Sequence, residues 1–401
     1  MLELVCKICR EQRMNTSNEE LDIIKTVLAF WESGTTQLQP SVMLNPVNHY
    51  TDPDHVNLEI NTLFRNFPII AGHAEQLKEA GQYFTHNDTG VPILVTRNRA
   101  NEVKAFINVC RHRGARVVTE PCGKANTLSC PYHGWTYDLN GNLRGMRQPA
   151  GFDAVDKNSH GLVELPAFER FGLIWVQPKP GDEKIDIQSW LAPMAEQLTS
   201  LNIESHTMFR QWSLNLDMNW HIALEGFLET YHFCSAHKNT ACSAYLDNKS
   251  PFLDKYPHVR NAVPLSRITK LKEQDPETWD YRSNFMTQNY IFPCNFVQVM
   301  TDHVYIHTVI PTGPDTCVFK SMMLIPEPSL TEKAQKYWQA NYDIVRSVFD
   351  EDFEIGEGIQ KGFATGVNTN FVFGRYEAGL QLAQKALDDA LKGRLTVPKM
   401  R

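Results

Sequence analysis

The sequence predicts an α+β chain: a small all-β domain followed by a larger α+β domain whose antiparallel sheet is flanked by helices. Three observations predict it. Short alternating apolar and polar runs fill positions from about 46 to 180; "PKPGDEKID", starting at Pro178, has the Pro, Gly and charge content of a boundary; helical stripes and β-rich runs then mix to the C-terminus. With 401 residues, 42% of them hydrophobic, the chain can fill two or three lobes. The expected spans are an N-terminal helical arm over 1–45, the β domain over 46–180 and the larger domain over 181–401.

The arm is read from "TSNEELDIIKTVLAFWESG", starting at Thr16, where Ser17 and Glu20 have capping-box spacing and Leu21, Ile24, Val27, Leu28 and Trp31 follow at helical intervals. In the β domain, "VPILVTR", "NRAN" and "EVKAFINVC" read as strand, turn and strand, and "FGLIWVQP" closes the region. Beyond the boundary, "NFVQVMTDHVYIHTVIP" and "CVFKSMMLIP" read as neighbouring antiparallel strands. The segment from Ser329, with a capping-box spacing to Glu332, reads as a long helix.

Charge narrows the partners. The balance of 39 basic and 46 acidic residues gives a net charge of −7, with no Lys/Arg run to follow a phosphate backbone, so nucleic acid is not expected. No apolar stretch approaches roughly 18 residues, and "MLELVCKICREQR" turns charged before a signal core forms, which predicts a soluble, cytoplasmic protein without a membrane partner. Nine cysteines, an odd number scattered over a long chain, predict reduced thiols and metal ligands in place of a disulfide framework; Cys6 and Cys9, a lone C-x-x-C, are read as ordinary thiols.

Chemistry enters with "CRHRGARVVTEPCGKANTLSCPYHGW". Cys110 and His112 form one mixed pair and Cys130 and His133 another, with 17 residues between His112 and Cys130. Zinc fingers join Cys to Cys and His to His. A mixed pair on each arm suits a [2Fe–2S] cluster in which one iron takes two thiolates and the other two imidazoles. Pro131 and Gly134 give the second arm a rigid turn whose backbone N–H groups can face cluster sulfurs. "CRHRG" and "CPYHGW" resemble the Rieske motif of ring-hydroxylating-type oxygenases. Respiratory Rieske proteins carry an extra cysteine soon after the first histidine, where this chain has Arg113 and Gly114.

A second constellation lies in "DMNWHIALEGFLETYHFCSAHKNT". Trp220, Leu224, Phe227 and Tyr231 step along one helix face as a core stripe, while Glu225, Glu229 and His232 share an adjacent face. His237 follows His232 by five residues, so the helix must end or distort if both are to meet one ion. In the C-terminal helix the stripe Trp338, Tyr342, Val345, Phe349 leads to Asp352, an acid at a core position, which is costly unless paired or metal-bound. Two histidines and a carboxylate are the facial triad of non-haem Fe(II) oxygenases.

Both segments resemble Rieske non-haem iron oxygenase alpha subunits, most closely in pattern the carnitine and choline monooxygenase-like group. The resemblance implies His232, His237 and Asp352 as ligands of a mononuclear Fe(II), and Glu229 as the acid linking that iron to His133 of a neighbouring subunit. It also implies a terminal oxygenase that receives electrons from a separate NAD(P)H-dependent flavin/iron–sulfur reductase and activates O2. Its expected assembly is a head-to-tail homotrimer, and its expected product a hydroxylated or dealkylated small molecule. Glu229, in place of the Asp of many ring dioxygenases, leans the substrate toward quaternary amines. The alternatives are a cis-dihydroxylating aromatic-ring dioxygenase, a Rieske electron-transfer protein with no second iron, and a zinc-binding module. Gly226 departs from the family's usual Asn. His221, His303 and His307 are read as ordinary histidines, and Arg111, Arg113 and Arg116 either guide an electron donor or brace the loops.

Overall fold

A computed structural model of the chain describes residues 16–181 and 184–400; Cys6 and Cys9 lie outside them. Helix α1 (Asn18–Ser33) opens with the expected capping box and ends at Gly34, whose φ of 65° is a left-handed stop. Its buried face is Ile23, Ile24, Val27 and Leu28, and Trp31 turns to solvent. That face packs on Ile268, Leu271, Tyr281 and Phe285, and Glu19 pairs with the buried Arg260 at 2.8 Å. The arm is thereby sewn to the larger domain.

The next segment also joins that domain, not the β domain to which the sequence reading gave residues from 46 on. Strand β1 (Met43–Pro46) pairs antiparallel with the distant residues 370–373. Helices α2 (Asn48–Thr51) and α3 (Pro53–Asn66), the latter capped by Asp52 with Pro53 at its first position, set Tyr50, Leu63 and Phe64 in the core with Trp220 and Leu224. Apolar burial decides this: each of those side chains contributes roughly 1.5–3 kcal/mol by leaving water, and the larger core is where they fit.

The β domain begins at β2 (Ile69–His73). β3 (Gln82–His86), β4 (Ile93–Arg97), β5 (Val103–Ile107), β6 (Cys122–Lys124) and β10 (Glu164–Leu165) form a sheet in the order β10-β5-β4-β3-β6. β7 (Thr127–Ser129), β8 (Thr136–Asp138) and β9 (Leu143–Gly145) form a second, and β11 (Ala167–Arg170), β12 (Leu173–Val176) and β2 a third. The β4–β5 turn is "NRAN" as expected: Asn101 takes a φ of 63°, and the Asn98 side chain accepts from the Glu102 N–H at 2.8 Å. Two loops, after β5 and between β7 and β8, carry the Cys/His pairs.

After the boundary, helices α4 (Ile187–Leu191) and α5 (Ala195–Ser200) lead into β13 (Thr207–Leu216), one edge of a seven-stranded antiparallel sheet whose other edge is β14 (Phe252–Lys255), paired with β15 (His258–Pro264); the order is β13-β19-β18-β17-β16-β15-β14. Its central strands β16 (Phe285–Ile291), β17 (Asn295–Val299), β18 (Val304–Gly313) and β19 (Thr316–Ile325) are buried on both faces over most of their length, and β16 and β17 bury the polar side chains of Thr287, Gln288, Asn289, Asn295 and Gln298 among the apolar ones. Against the sheet lie α6 (Trp220–Glu225), α7 (Phe233–Ala236), α8 (Tyr281–Asn284), α9 (Glu332–Gly362) and α10 (Ala378–Leu391). The cap of α9 is Thr331, whose side chain accepts from Ala334 N–H at 3.1 Å, so the Ser329–Glu332 box is not the one that forms. Its inward stripe is Trp338, Val345, Phe349, Phe353 and Gly356.

Candidate active site

The two histidines of the second constellation are brought together by a broken helix. Asn219 caps α6 by accepting from His221 N–H at 2.8 Å, and α6 stops at Glu225. Beyond it the Glu229 carboxylate accepts from the backbone N–H of Tyr231 and, at 3.1 Å, of His232, taking donors that a continuous helix would use. Tyr231 consequently faces solvent, 53% exposed, and the expected core stripe ends at Phe227. His232 and His237 now bracket the single turn of α7.

Asp352, from the inner side of α9, completes the group. Its Oδ1 lies 3.6 Å from His232 Nε2 and 3.0 Å from His237 Nε2. Two donors bound to one ion at about 2.1 Å stand about 3.0 Å apart at a right angle and about 3.6 Å apart at 120°, so the three atoms have the spacing of a shared metal. His237 is 1% exposed, and its Nε2 has no hydrogen-bond partner of acceptable geometry despite the nearby carboxylate. A buried ring nitrogen left in that condition fits a ligand position. Among the described residues, His232, His237 and Asp352 are the only group of three or more His, Cys, Asp or Glu donors lying within 4.8 Å of one another.

The outer ring nitrogens are both held by acids. His232 Nδ1 bonds to Glu229 Oε1, and His237 Nδ1 to Glu351 Oε2 at 2.8 Å, with Thr240 Oγ1 donating to the same oxygen at 2.7 Å. Burial lowers the affinity of both rings for protons, but Glu229 for His232, and Asp352 with Glu351 for His237, reverse that and leave both pKa values raised. Each acid fixes its ring with Nε2 pointing inward. Sequence reading missed Glu351: its only signal was its place beside Asp352.

Cys110 and Cys130 are buried at the bases of two matched loops, with His112 and His133 at the half-buried tips. Gly114 N–H bonds to Cys110 C=O and Gly134 N–H to Cys130 C=O, both at 3.0 Å, and both glycines have positive φ, 79° and 70°. His112 Nδ1 and His133 Nδ1 face each other at 3.1 Å, a right-angle pair for one ion, while the thiols form the other half of the set. Trp135 stacks on His112 at 5.0 Å, and the Tyr137 hydroxyl sits 3.4 Å from Cys110 Sγ and accepts from Arg111 N–H at 3.0 Å. Tyr137 was not singled out from sequence. Arg111 donates to the Gly161 carbonyl at 3.2 Å and Arg113 lies 5.5 Å from the Tyr132 ring centre, so both brace the loops.

A cavity of about 540 Å³ opens on the three-donor group. Its walls include Glu229, His232 and Asp352, the rings of Phe227, Phe353, Phe363 and Phe371, and the carboxyls of Glu225 and Glu377. Gly226 also lines it, and a Cβ there would meet no atom within 4 Å.

Other expectations fare differently. Cys234 and Cys242 form a disulfide, Cα atoms 4.7 Å apart, against the reduced thiols expected from the count; the turn around His237 folds the two together. His303 pairs with Asp302 at 2.6 Å, and His307 with Ser321 at 2.9 Å and Gln298 at 3.1 Å, both as buried structural groups. His221 joins a buried network with the carboxylates of Glu59 and Glu225. No described helix is long and apolar enough to cross a membrane.

Residues 67–166 match the model of the Rieske [2Fe–2S] domain, and residues 203–393 that of the ring hydroxylating alpha subunit catalytic domain. The glycine betaine monooxygenase oxygenase subunit of Chromohalobacter salexigens is 32% identical over 77% of this chain and 78% of its own length. The chloroplastic choline monooxygenase of Beta vulgaris is 27% identical over 80% of this chain and 70% of its own. A crystal structure of a quaternary ammonium Rieske monooxygenase in complex with L-carnitine superposes with a TM-score of 0.75, at 21% identity, over 88% of this chain and 96% of that one.

Proposed function

This chain belongs to the family of Rieske oxygenase alpha subunits, and from that membership we propose that it monooxygenates a small quaternary ammonium compound. As a member it is an oxidoreductase that works with a Rieske [2Fe–2S] cluster, a mononuclear iron and O2, and takes its electrons from a reductase partner. The observation that carries the assignment of residues is the convergence of His232 Nε2, His237 Nε2 and Asp352 Oδ1, with His232 and Asp352 lining the cavity. These three are assigned as iron ligands, and Cys110, His112, Cys130 and His133 as cluster ligands.

Bound there, iron would supply open coordination positions for O2 activation. The chain does the rest. Glu229 and Glu351 hold the Nδ1 protons and so keep each Nε2 free to donate its lone pair. Phe227, Phe353, Phe363 and Phe371 line the cavity with aromatic rings, and Glu225 and Glu377 add negative potential when ionised, a combination suited to a cation whose methyl groups cannot hydrogen-bond. The relatives' names point to the same substrate class.

The electron donor is assigned as an NAD(P)H-dependent flavin/iron–sulfur reductase, and the protein is assigned to the cytoplasm. The assembly is assigned as a head-to-tail homotrimer, because one cluster and one iron on separate parts of the chain need a route between them. In it Glu229, already bonded to His232, would face His133 of the next subunit. The test is O2 uptake by the reductase-coupled holoenzyme across small quaternary amines, aromatic acids and neutral arenes. Uptake matched one to one by hydroxylated or demethylated amine is the expected result. Coupled formation of an arene cis-diol would overturn the substrate class.

A further inference from the structure

We propose that His55, Glu59, His221 and Glu225 form a proton relay leading from the surface beside α3 to the cavity at the three-donor group. The proposal rests on the reading of His232, His237 and Asp352 as the iron site. Monooxygenation, R–H + O2 + 2e⁻ + 2H⁺ → R–OH + H2O, breaks one C–H bond, forms one C–O bond and sends the second oxygen out as water. The electrons come from the reductase; the two protons must come from solvent, through a site built to exclude it.

The four side chains are in sequence in space. His55, 20% exposed at its side chain, places Nε2 3.2 Å from Glu59 Oε1. The same oxygen is 2.6 Å from His221 Nε2, with Glu59 and His221 almost wholly buried and Trp220 Nε1 donating to Glu59 Oε2 at 2.9 Å. On the far side of its ring, His221 Nδ1 has no hydrogen-bond partner and faces Glu225 Oε1 at 4.0 Å. Glu225 lines the cavity, where Glu229, His232 and Asp352 also stand. Its carboxyl is held by the Tyr50 hydroxyl, which donates to Oε1 at 2.6 Å and is itself held by Asn45 Nδ2 at 2.8 Å.

A buried ion pair needed only for packing has no use for an orphaned nitrogen aimed at a second carboxyl. In the relay, His221 takes a proton at Nε2 by way of Glu59 and releases the one on Nδ1 to Glu225, whose rotation closes the gap and hands the proton on to the cavity; the neutral ring then reorients to present its remaining N–H to Glu225 and its bare nitrogen to Glu59, the second proton passes the same way, and a second reorientation returns the chain to its starting state. The groups facing Glu225 set its readiness. Burial, with the carboxylates of Glu377 and Glu59, pushes it up against the pull of His221 and Tyr50, to about 7. Burial lowers His221, but Glu59 outweighs it and leaves the ring's pKa raised. Glu225 is thus placed to take up and release a proton near neutral pH.

The experiment compares the reductase-coupled holoenzyme with its Glu225→Gln, Glu225→Asp and His55→Gln variants. Glu225→Gln keeps the volume and can still accept from Tyr50. It is expected to lower kcat at least about 10-fold with KM little changed, to enlarge the solvent deuterium isotope effect and to divert O2 to hydrogen peroxide, with partial recovery in Glu225→Asp. His55→Gln is expected to slow turnover and to recover with added imidazole. In the resting enzyme, without turnover, the infrared difference between parent and Glu225→Gln should show a carboxyl titrating near pH 7. Parent-like kcat and isotope effect in Glu225→Gln would overturn the relay. If that variant does not fold, parent-like turnover of His55→Gln, insensitive to imidazole, overturns it. An Asp352→Ala control separates the two readings: its inactivity leaves the iron site standing whatever the relay shows.

Discussion

Glu351 Oε2 lies 2.8 Å from His237 Nδ1, on the opposite edge of the ring from the nitrogen that faces Asp352 Oδ1 at 3.0 Å. Consecutive acids of α9 therefore grip one imidazole from both sides, Glu351 at the outer nitrogen and Asp352 beside the nitrogen proposed to bind iron.

Removing the outer grip should weaken the metal without touching the cluster. For Glu351→Gln the expected outcome is a 10–100-fold loss of affinity at the mononuclear site, as is typical when a ligand histidine loses its carboxylate. Iron titration of the mononuclear site, with the visible spectrum of the cluster as internal control, checks it. Unchanged affinity would show that Thr240 and packing alone orient His237.

Glu225 makes stability depend on pH in a stated direction. In the unfolded chain it titrates near 4.5 and in the folded protein near 7. Below 4.5 both forms are protonated and nothing is lost. As pH rises toward 7 the unfolded chain releases its proton first, so folding stability falls, by at most about 3 kcal/mol once pH exceeds 7. With 18% of the side chain exposed, the loss is expected in the lower part of that range. Glu225→Gln should melt above the parent at pH 8 and level with it near pH 4.5. A melting difference independent of pH contradicts the shift.

Two glycines at the site should respond oppositely. A Cβ on Gly379, in α10, would stand 2.2 Å from the Leu228 carbonyl oxygen, backbone that leads directly into Glu229 and His232. Gly379→Ala is expected to cost about 1–3 kcal/mol and to lower iron retention. Gly226, with φ −56° and ψ −26° and open space around it, should accept Asn with a change in stability within about 1 kcal/mol. The new amide would project into the cavity, so KM or product ratio should move while the melting temperature does not.

Much of both sites was legible because the information is local. The loops holding Cys110, His112, Cys130 and His133 close on themselves through backbone bonds within each arm, so spacing alone displays them. Asp352 was visible as an acid continuing an apolar stripe. Glu351 was not, since its partner is 114 residues away and its position on the helix is that of any exposed acid. Tyr231 was misread because periodicity assumes the helix continues, whereas α6 stops at Glu225 and the Glu229 side chain beyond it takes the backbone donors that a continued helix would use. The placement of residues 43–66 depended on β1 pairing with β20 (Asn370–Phe373), a contact no local pattern announces. The buried network of Glu59, His221 and Glu225 likewise joins α3 to α6, and His221 alone looks like any core histidine.

The central claim, that the chain carries two separate iron centres with His232, His237 and Asp352 at the second, is tested most directly by iron and sulfide analysis of the parent and Asp352→Ala proteins. Three iron atoms and two sulfides per parent chain are expected. Asp352→Ala should hold two irons, an intact cluster spectrum and no substrate-dependent O2 uptake. Three irons and full turnover in Asp352→Ala, or loss of the cluster's colour on that substitution, would contradict it.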